Sequence, residues 1–208
     1  MKHNIITIGR EFGSGGHEVG ARLAERLGMK FYDKELITIA AEKMGCCENF
    51  VANNNEKTPG LFARSMTFSR GGTYTQLSPE DNIYVCQSLA VRELAEEGNC
   101  VIVGRCADYI LRERDDVVNV FVHASIDERV SRKMMLSDTE KSAAAIKKEI
   151  LATDKRREKY YNFYTGRRWG DSRNYHISID TSKIGIDGAV DVIVDYIEKY
   201  SAKGILPD

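Results

Sequence analysis

The chain has 208 residues, 42% of them hydrophobic and 29% charged, with a net charge of −1 at pH 7. That composition fits one globular α/β domain with room for a small insertion. The near-neutral balance excludes a global field drawing the chain to nucleic acid or a membrane, so any basic function is local.

The first predicted element is a buried strand at Ile5-Ile6-Thr7-Ile8, an apolar run of the kind found inside a parallel sheet. A glycine-rich turn, Gly9-Arg10-Glu11-Phe12-Gly13-Ser14-Gly15-Gly16-His17, leads into a helix from about Glu18 to Leu27, which Gly28 ends. Lys30-Phe31-Tyr32 reads as a second strand closed by Asp33, and Lys34 to Met44 as an amphipathic helix. Residues 45–78 lack sustained periodicity and read as irregular or partly helical. Ser78-Pro79-Glu80-Asp81 has the composition of a helix start, and that helix runs to about Glu97. Cys100 to Gly104 and Val117 to Val122 are the third and fourth strands, with a helix from Ile126 to Met135. A basic helical stretch over 139–164, a fifth strand at Tyr175 to Asp180 and a last helix from Asp187 to Tyr200 complete the chain. Strands alternating with helices predict a doubly wound parallel α/β sheet.

No signal peptide or membrane span is legible, since the N-terminal apolar run is four residues long and Arg10 follows. The expected location is cytoplasmic. The five cysteines lack CxxC spacing, which predicts buried reduced thiols. The four histidines are dispersed, so no metal site is expected.

Three readings of the turn compete. Its glycines could serve packing alone. Gly13-Ser14-Gly15 with Asp33 further on could be a dinucleotide motif, but Glu18 stands where the third glycine belongs. The third reading is a triphosphate loop of the GxxxxGK[ST] type, in which backbone N–H groups and a helix N-terminus cradle anionic oxygens. Gly16 then occupies the lysine position and Arg10 that of the first glycine.

The whole chain resembles the cytidylate-kinase-like branch of the P-loop nucleoside monophosphate kinases. The resemblance rests on the lysine-free loop Ile6 to Gly16, the strand Val101-Ile102-Val103-Gly104-Arg105, and Gln87 on the preceding helix. It continues through Val120 to Ser125 with Glu128-Arg129, Asp154-Lys155-Arg156-Arg157, and Asp180-Thr181-Ser182. It weakens between residues 45 and 80. It implies one kinase-like domain over 1–208, with a five-stranded sheet ordered 2-3-1-4-5, an acceptor-binding insertion near 34–80 and a helical lid near 137–173. The implied activity is ATP- and Mg²⁺-dependent phosphorylation of a small acceptor, foremost a nucleoside monophosphate such as CMP or dCMP. The backbone of Gly13, Ser14, Gly15, Gly16 and His17 would cradle the ATP phosphates. Arg105, Asp33 and Gln87 would hold the acceptor. Arg10 or lid arginines would replace the loop lysine, with Arg156 and Arg157 the preferred catalytic pair and Arg132 facing the same cleft.

Two departures bear on the acceptor: Lys34-Glu35-Leu36 follows Asp33, and Cys106 follows Gly104-Arg105 where the better-known members carry Asp. A nucleotide-binding regulator without turnover stays open. So does single-stranded nucleic-acid binding through the basic run 154–173, which is interleaved with Tyr160, Tyr161, Phe163, Tyr164 and Trp169.

Overall fold

The first strand, β1, spans Ile5–Arg10 and is the centre of the sheet. The structure is a computed structural model that describes residues 5–43, 79–136 and 141–202. Helix α1 (Gly16–Leu27), β2 (Lys30–Tyr32), α2 (Lys34–Lys43) and α3 (Pro79–Glu96) follow. Next come β3 (Cys100–Val103), the short α4 (Ala107–Ile110), β4 (Val117–His123) and α5 (Ile126–Met135). Helix α6 (Ala143–Thr165), a 3₁₀ turn at Ser172–Asn174, β5 (Ile177–Asp180) and α7 (Thr181–Ala202) complete the order. All strands are parallel, in the order β2-β3-β1-β4-β5, as the family resemblance implied.

Alternation along β1 sorts the core into two layers. Ile6 and Ile8 pack with Val19 and Leu23 of α1 and with Val190 and Ile193 of α7. Ile5 packs on the other face, with Ile37 of α2, Ala90 and Val91 of α3, and Tyr160 and Tyr161 of α6. Thr7, the polar member of the strand, is buried and donates to Asn119 Oδ1 at 2.6 Å across the register pair Thr7↔Asn119.

The upper edge of the sheet creates the crevice. Strand β1 pairs with β3 only as far as Ile8↔Val103, but with β4 through Gly9↔Phe121 and Arg10↔Val122. Past Val103 the chain turns through three left-handed residues, Gly104, Arg105 and Cys106 (φ 83°, 56° and 55°). The side chains at Arg10 and Arg105 are thereby placed beyond the C-terminal ends of neighbouring strands, where ligands bind in open parallel sheets.

Several boundaries differ from the sequence reading. Strand β1 runs two residues past Ile8 because β4 continues to pair with it. Helix α1 begins at Gly16, directly after the left-handed Gly15. Helix α7 begins at Thr181, and non-helical backbone at Gly185 (φ 68°, ψ −171°) separates its first turn from the remainder. Helix α4 was not expected. The irregular reading of 45–78, with the Ser78 cap, lies outside the described residues. Cys100 and Cys106 are buried free thiols, whereas Cys86, expected reduced with the others, is disulfide-bonded. Among the described residues no helix is long and apolar enough to cross a membrane.

Helix α1 approaches the sheet closely at Gly20. A Cβ there would stand 2.9 Å from Val103 Cγ2 and 3.2 Å from Ile8 Cδ1. Gly20→Val is expected to lower stability by about 1–3 kcal/mol through overpacking. The check is a lower urea midpoint at unchanged slope; an unchanged midpoint would mean that this contact has slack.

Candidate active site

The turn from β1 into α1 is held from three sides. Gly13 and Gly15 take left-handed conformations, φ 83° and 82°, that glycine adopts at no steric cost. A Cβ on Gly13 would press on Arg129 of α5, with its Cβ and backbone oxygen both at 3.2 Å, and one on Gly15 would overlap Ile186. Ser14 is buried, with its hydroxyl within reach of the carbonyls of Glu11 (2.9 Å) and Val122 (3.2 Å). That side chain secures the loop from beneath and does not face the cleft. Thr181 adds a bond from its hydroxyl to Ser14 O at 2.7 Å. The Gly13–His17 backbone surrounds the start of α1, where a helix dipole favours anions, with the Ser14 amide directed at Glu11 O and the Gly16 amide at Ser14 Oγ, both at 3.4 Å.

Arg10 occupies the space that a loop lysine would need. A Cβ at Gly16, the lysine position, would meet Arg10 Cβ at 2.5 Å and Cγ at 3.1 Å. The same side chain crosses to β3, where a Cβ on Gly104 would overlap the guanidinium. Two glycines, one opening α1 and one just past β3, are thus bare for one arginine.

Two cavities meet at this side chain. The loop cleft, about 900 Å³ with its open mouth, is bordered by Gly13, Gly15, Gly16 and His17 and by Arg132 and Lys133 of α5. The second, about 440 Å³ with its mouth, is lined by Arg105, Cys106 and Asp108 and walled by Tyr160, Trp169 and Tyr175. Arg10 and Arg157 line both. Arg157 also donates to Arg10 O at 3.1 Å and lies 5.5 Å over the Phe12 ring.

Arg105 is only 7% exposed and points into the second cavity from a left-handed backbone, a conformation costing about 1–2 kcal/mol for a non-glycine residue. Strain of this kind accumulates where a side chain must be aimed. Asp108 stands beside it, buried and accepting from the Tyr161 hydroxyl at 2.6 Å. Burial pushes the Asp108 carboxyl above its usual range, and the Tyr161 bond and the Arg167 charge offset only part of that.

The remaining predicted residues separate into two groups. His17 Nε2 lies 3.1 Å from Asp33 Oδ2, while Asp33 Oδ1 accepts from the amides of Glu35 and Leu36, both at 3.1 Å. Asp33 is therefore the N-cap of α2 as well as the partner of His17. Burial acts to raise its carboxyl, but those hydrogen bonds outweigh burial and hold it below the usual range. Arg132 lies against Gly15 and pairs with Glu18 on α1. Arg156 is not brought to the site: it is exposed, bonds Thr153 at 3.0 Å, and lines neither cavity. Gln87 is buried under α6, with the Tyr160 hydroxyl 3.5 Å from its Oε1, and lines neither cavity. Asp108 was not named from sequence, and Arg129 and Asp154 were named only within motifs of the resemblance and given no role, although all three contact the loop or the second cavity. Tyr160 and Tyr161 are buried in the core, so the basic aromatic run does not form an open stacking surface. Among the described residues no group of three or more His, Cys, Asp or Glu stands close enough to hold a metal.

A five-stranded 2-3-1-4-5 sheet with a phosphate loop after β1 defines a P-loop protein of the kinase-like class. The chain belongs to the cytidylate kinase-like family, whose family model matches residues 5–183. It is similar to an uncharacterized protein from Eubacterium ventriosum ATCC 27560, at 31% identity over 94% of this chain and 98% of the other, with a TM-score of 0.72. A shikimate kinase from Bacteroides thetaiotaomicron matches at 15% identity, 94% and 98% coverage and a TM-score of 0.54. A gluconokinase from Sinorhizobium meliloti 1021 matches at 15% identity, 96% and 97% coverage and a TM-score of 0.53. At such identities the likeness concerns the fold alone. No curated protein matches in sequence.

The Asp108 environment gives a pH test. A carboxyl whose folded pKa is raised favours the folded state at low pH, and that advantage is lost as pH rises from the unfolded value, about 4, through the folded one. Asp108→Asn keeps an acceptor for Tyr161 and never ionises. Its melting temperature should exceed that of the wild type at neutral pH, with the gap closing as pH falls toward about 4. A gap independent of pH would show that burial does not control this carboxyl.

Proposed function

We propose that the protein transfers the γ-phosphoryl group of ATP to a small acceptor carrying an anionic group, foremost a nucleoside monophosphate such as CMP or dCMP. The observation that carries this reading is that Arg10 and Arg157 line both cavities. Phosphoryl transfer requires positioning of two partners and positive charge on the oxygens between them. The loop cleft takes the triphosphate on the Gly13–His17 amides, with Arg132 and Lys133 on its far side. The second cavity takes the anionic end of the acceptor, which Arg105 grips with its planar fork. The two shared guanidiniums then stand where charge develops during transfer.

A bound Mg²⁺ would add positive charge to the phosphates. It takes oxygen ligands and keeps several waters; Glu35 on the cleft border would offer it a carboxylate, whereas both Asp33 oxygens are engaged by His17 and by the Glu35 and Leu36 amides. Residues 34–80 serve as the acceptor-reading segment and 137–173 as the lid. Dependence on ATP supports a cytoplasmic location.

A coupled ADP-release assay across nucleoside monophosphates and small anionic metabolites tests the reading. Turnover with CMP or dCMP ahead of the others is the expected result. ATP binding without ADP release for any acceptor would make the chain a nucleotide-binding regulator. Arg10→Ala should reduce kcat by about 10²–10³-fold, the usual loss for one charge-stabilising donor. A kcat near that of the wild type would remove Arg10 as the substitute for the lysine.

A further inference from the structure

We infer that Asp154 and Arg129 form an ion-paired latch by which helix α6 sets the shape of the phosphate loop, with Asp154 as the positioning residue. The inference rests on the reading of that loop as the ATP site. Asp154 uses both carboxylate oxygens: Oδ1 accepts from the Phe12 amide at 2.8 Å and Oδ2 from Arg129 Nη1 at 2.5 Å. Arg129 is 6% exposed, and its Nη1 also lies 3.4 Å from Phe12 O and 3.5 Å from Glu11 Oε2. Glu11 is fixed in turn by the Ala124 amide at 3.2 Å. One helical turn beyond Asp154, Arg157 bonds Arg10 O. Residues three apart share a helix face, so α6 grips residues 10 to 12 at two points and registers Arg157 between the cavities.

The charges explain why the latch is a pair. A loop without lysine has no long cation of its own to fold around the triphosphate, so its shape is imposed from outside. A lone carboxylate at Phe12 would repel that triphosphate at short range. Arg129 offsets it, since its Nη1 stands nearer to Asp154 (2.5 Å) than to Glu11 (3.5 Å).

This assigns opposite signs to the two single variants, which loss of packing would not do. Arg129→Met leaves the carboxylate unopposed and should weaken binding of a non-hydrolysable ATP analogue by about tenfold or more in calorimetry. Asp154→Asn keeps an acceptor for Phe12, leaves Arg129 opposed by Glu11 alone, and should bind the analogue at least as tightly as the wild type. Equal weakening in both would overturn the latch. Two double variants remove both charges together, which buried pairs tolerate better than loss of one partner, so the test stands even where Arg129→Met alone does not fold. Phe12 amide exchange, followed by NMR without nucleotide, should quicken about 100-fold in Asp154→Leu/Arg129→Met and stay near wild type in Asp154→Asn/Arg129→Met. Unchanged Phe12 protection in the leucine variant would overturn the proposal. A wild-type protein that binds no ATP analogue would instead overturn the ATP-site reading, and Phe12 exchange would still decide the latch.

Discussion

The path of the Arg10 side chain constrains everything around it. It leaves the end of β1, passes the backbone of Gly16 and ends against Gly104. A side chain on either glycine would occupy the same volume, so the loop cannot hold a lysine at Gly16 and this arginine together. The cation of the loop therefore comes from the strand before it. From that origin it can face two cavities, where a residue at the helix start would face chiefly one.

The second cavity concentrates like charges in little space. Arg10, Arg105 and Arg157 converge beside Asp108, with aromatic walls that keep water out on one side. Guanidiniums so placed repel one another, and the left-handed backbone at Arg105 and Cys106 adds strain. The fold offsets these costs elsewhere, through two apolar layers against the sheet and through Tyr160 and Tyr161, which anchor α6 in the core. An anion entering the cavity relieves the repulsion, so ligand binding and folding stability are coupled at this point.

Much of this was legible in the amino-acid order. Apolar runs such as Ile5–Ile8 and Cys100–Val103 are strands, and Gly13-Ser14-Gly15-Gly16 is a loop before a helix. The choice within Arg156-Arg157 was not read, though a signal existed. Ile146, Ile150 and Thr153 are buried at spacings of four and three, and the same rhythm continues through residue 157 to Tyr160. Arg157 lies on that inward stripe and Arg156 beside it. Asp154 was read only as the first residue of the Asp154-Lys155-Arg156-Arg157 motif, with no role of its own, because its partners, Phe12 and Arg129, lie 142 and 25 residues away. Helix α4 is one turn long and follows a left-handed turn at Arg105 and Cys106, residues with no local preference for that conformation. Asp33, read as an acceptor ligand, makes two local contacts that this reading did not include, capping α2 with one oxygen and meeting His17 with the other.

Trp169, the chain's single tryptophan, stands in the wall of the arginine cavity, edge-on to Phe121 at 5.5 Å between ring centroids. Indole emission depends on the local electric field and on contact with water. Filling the cavity changes both: an anion offsets the guanidinium charges and expels solvent from the ring. The protein thus carries a built-in fluorescent reporter of that cavity, with no other tryptophan to obscure its signal.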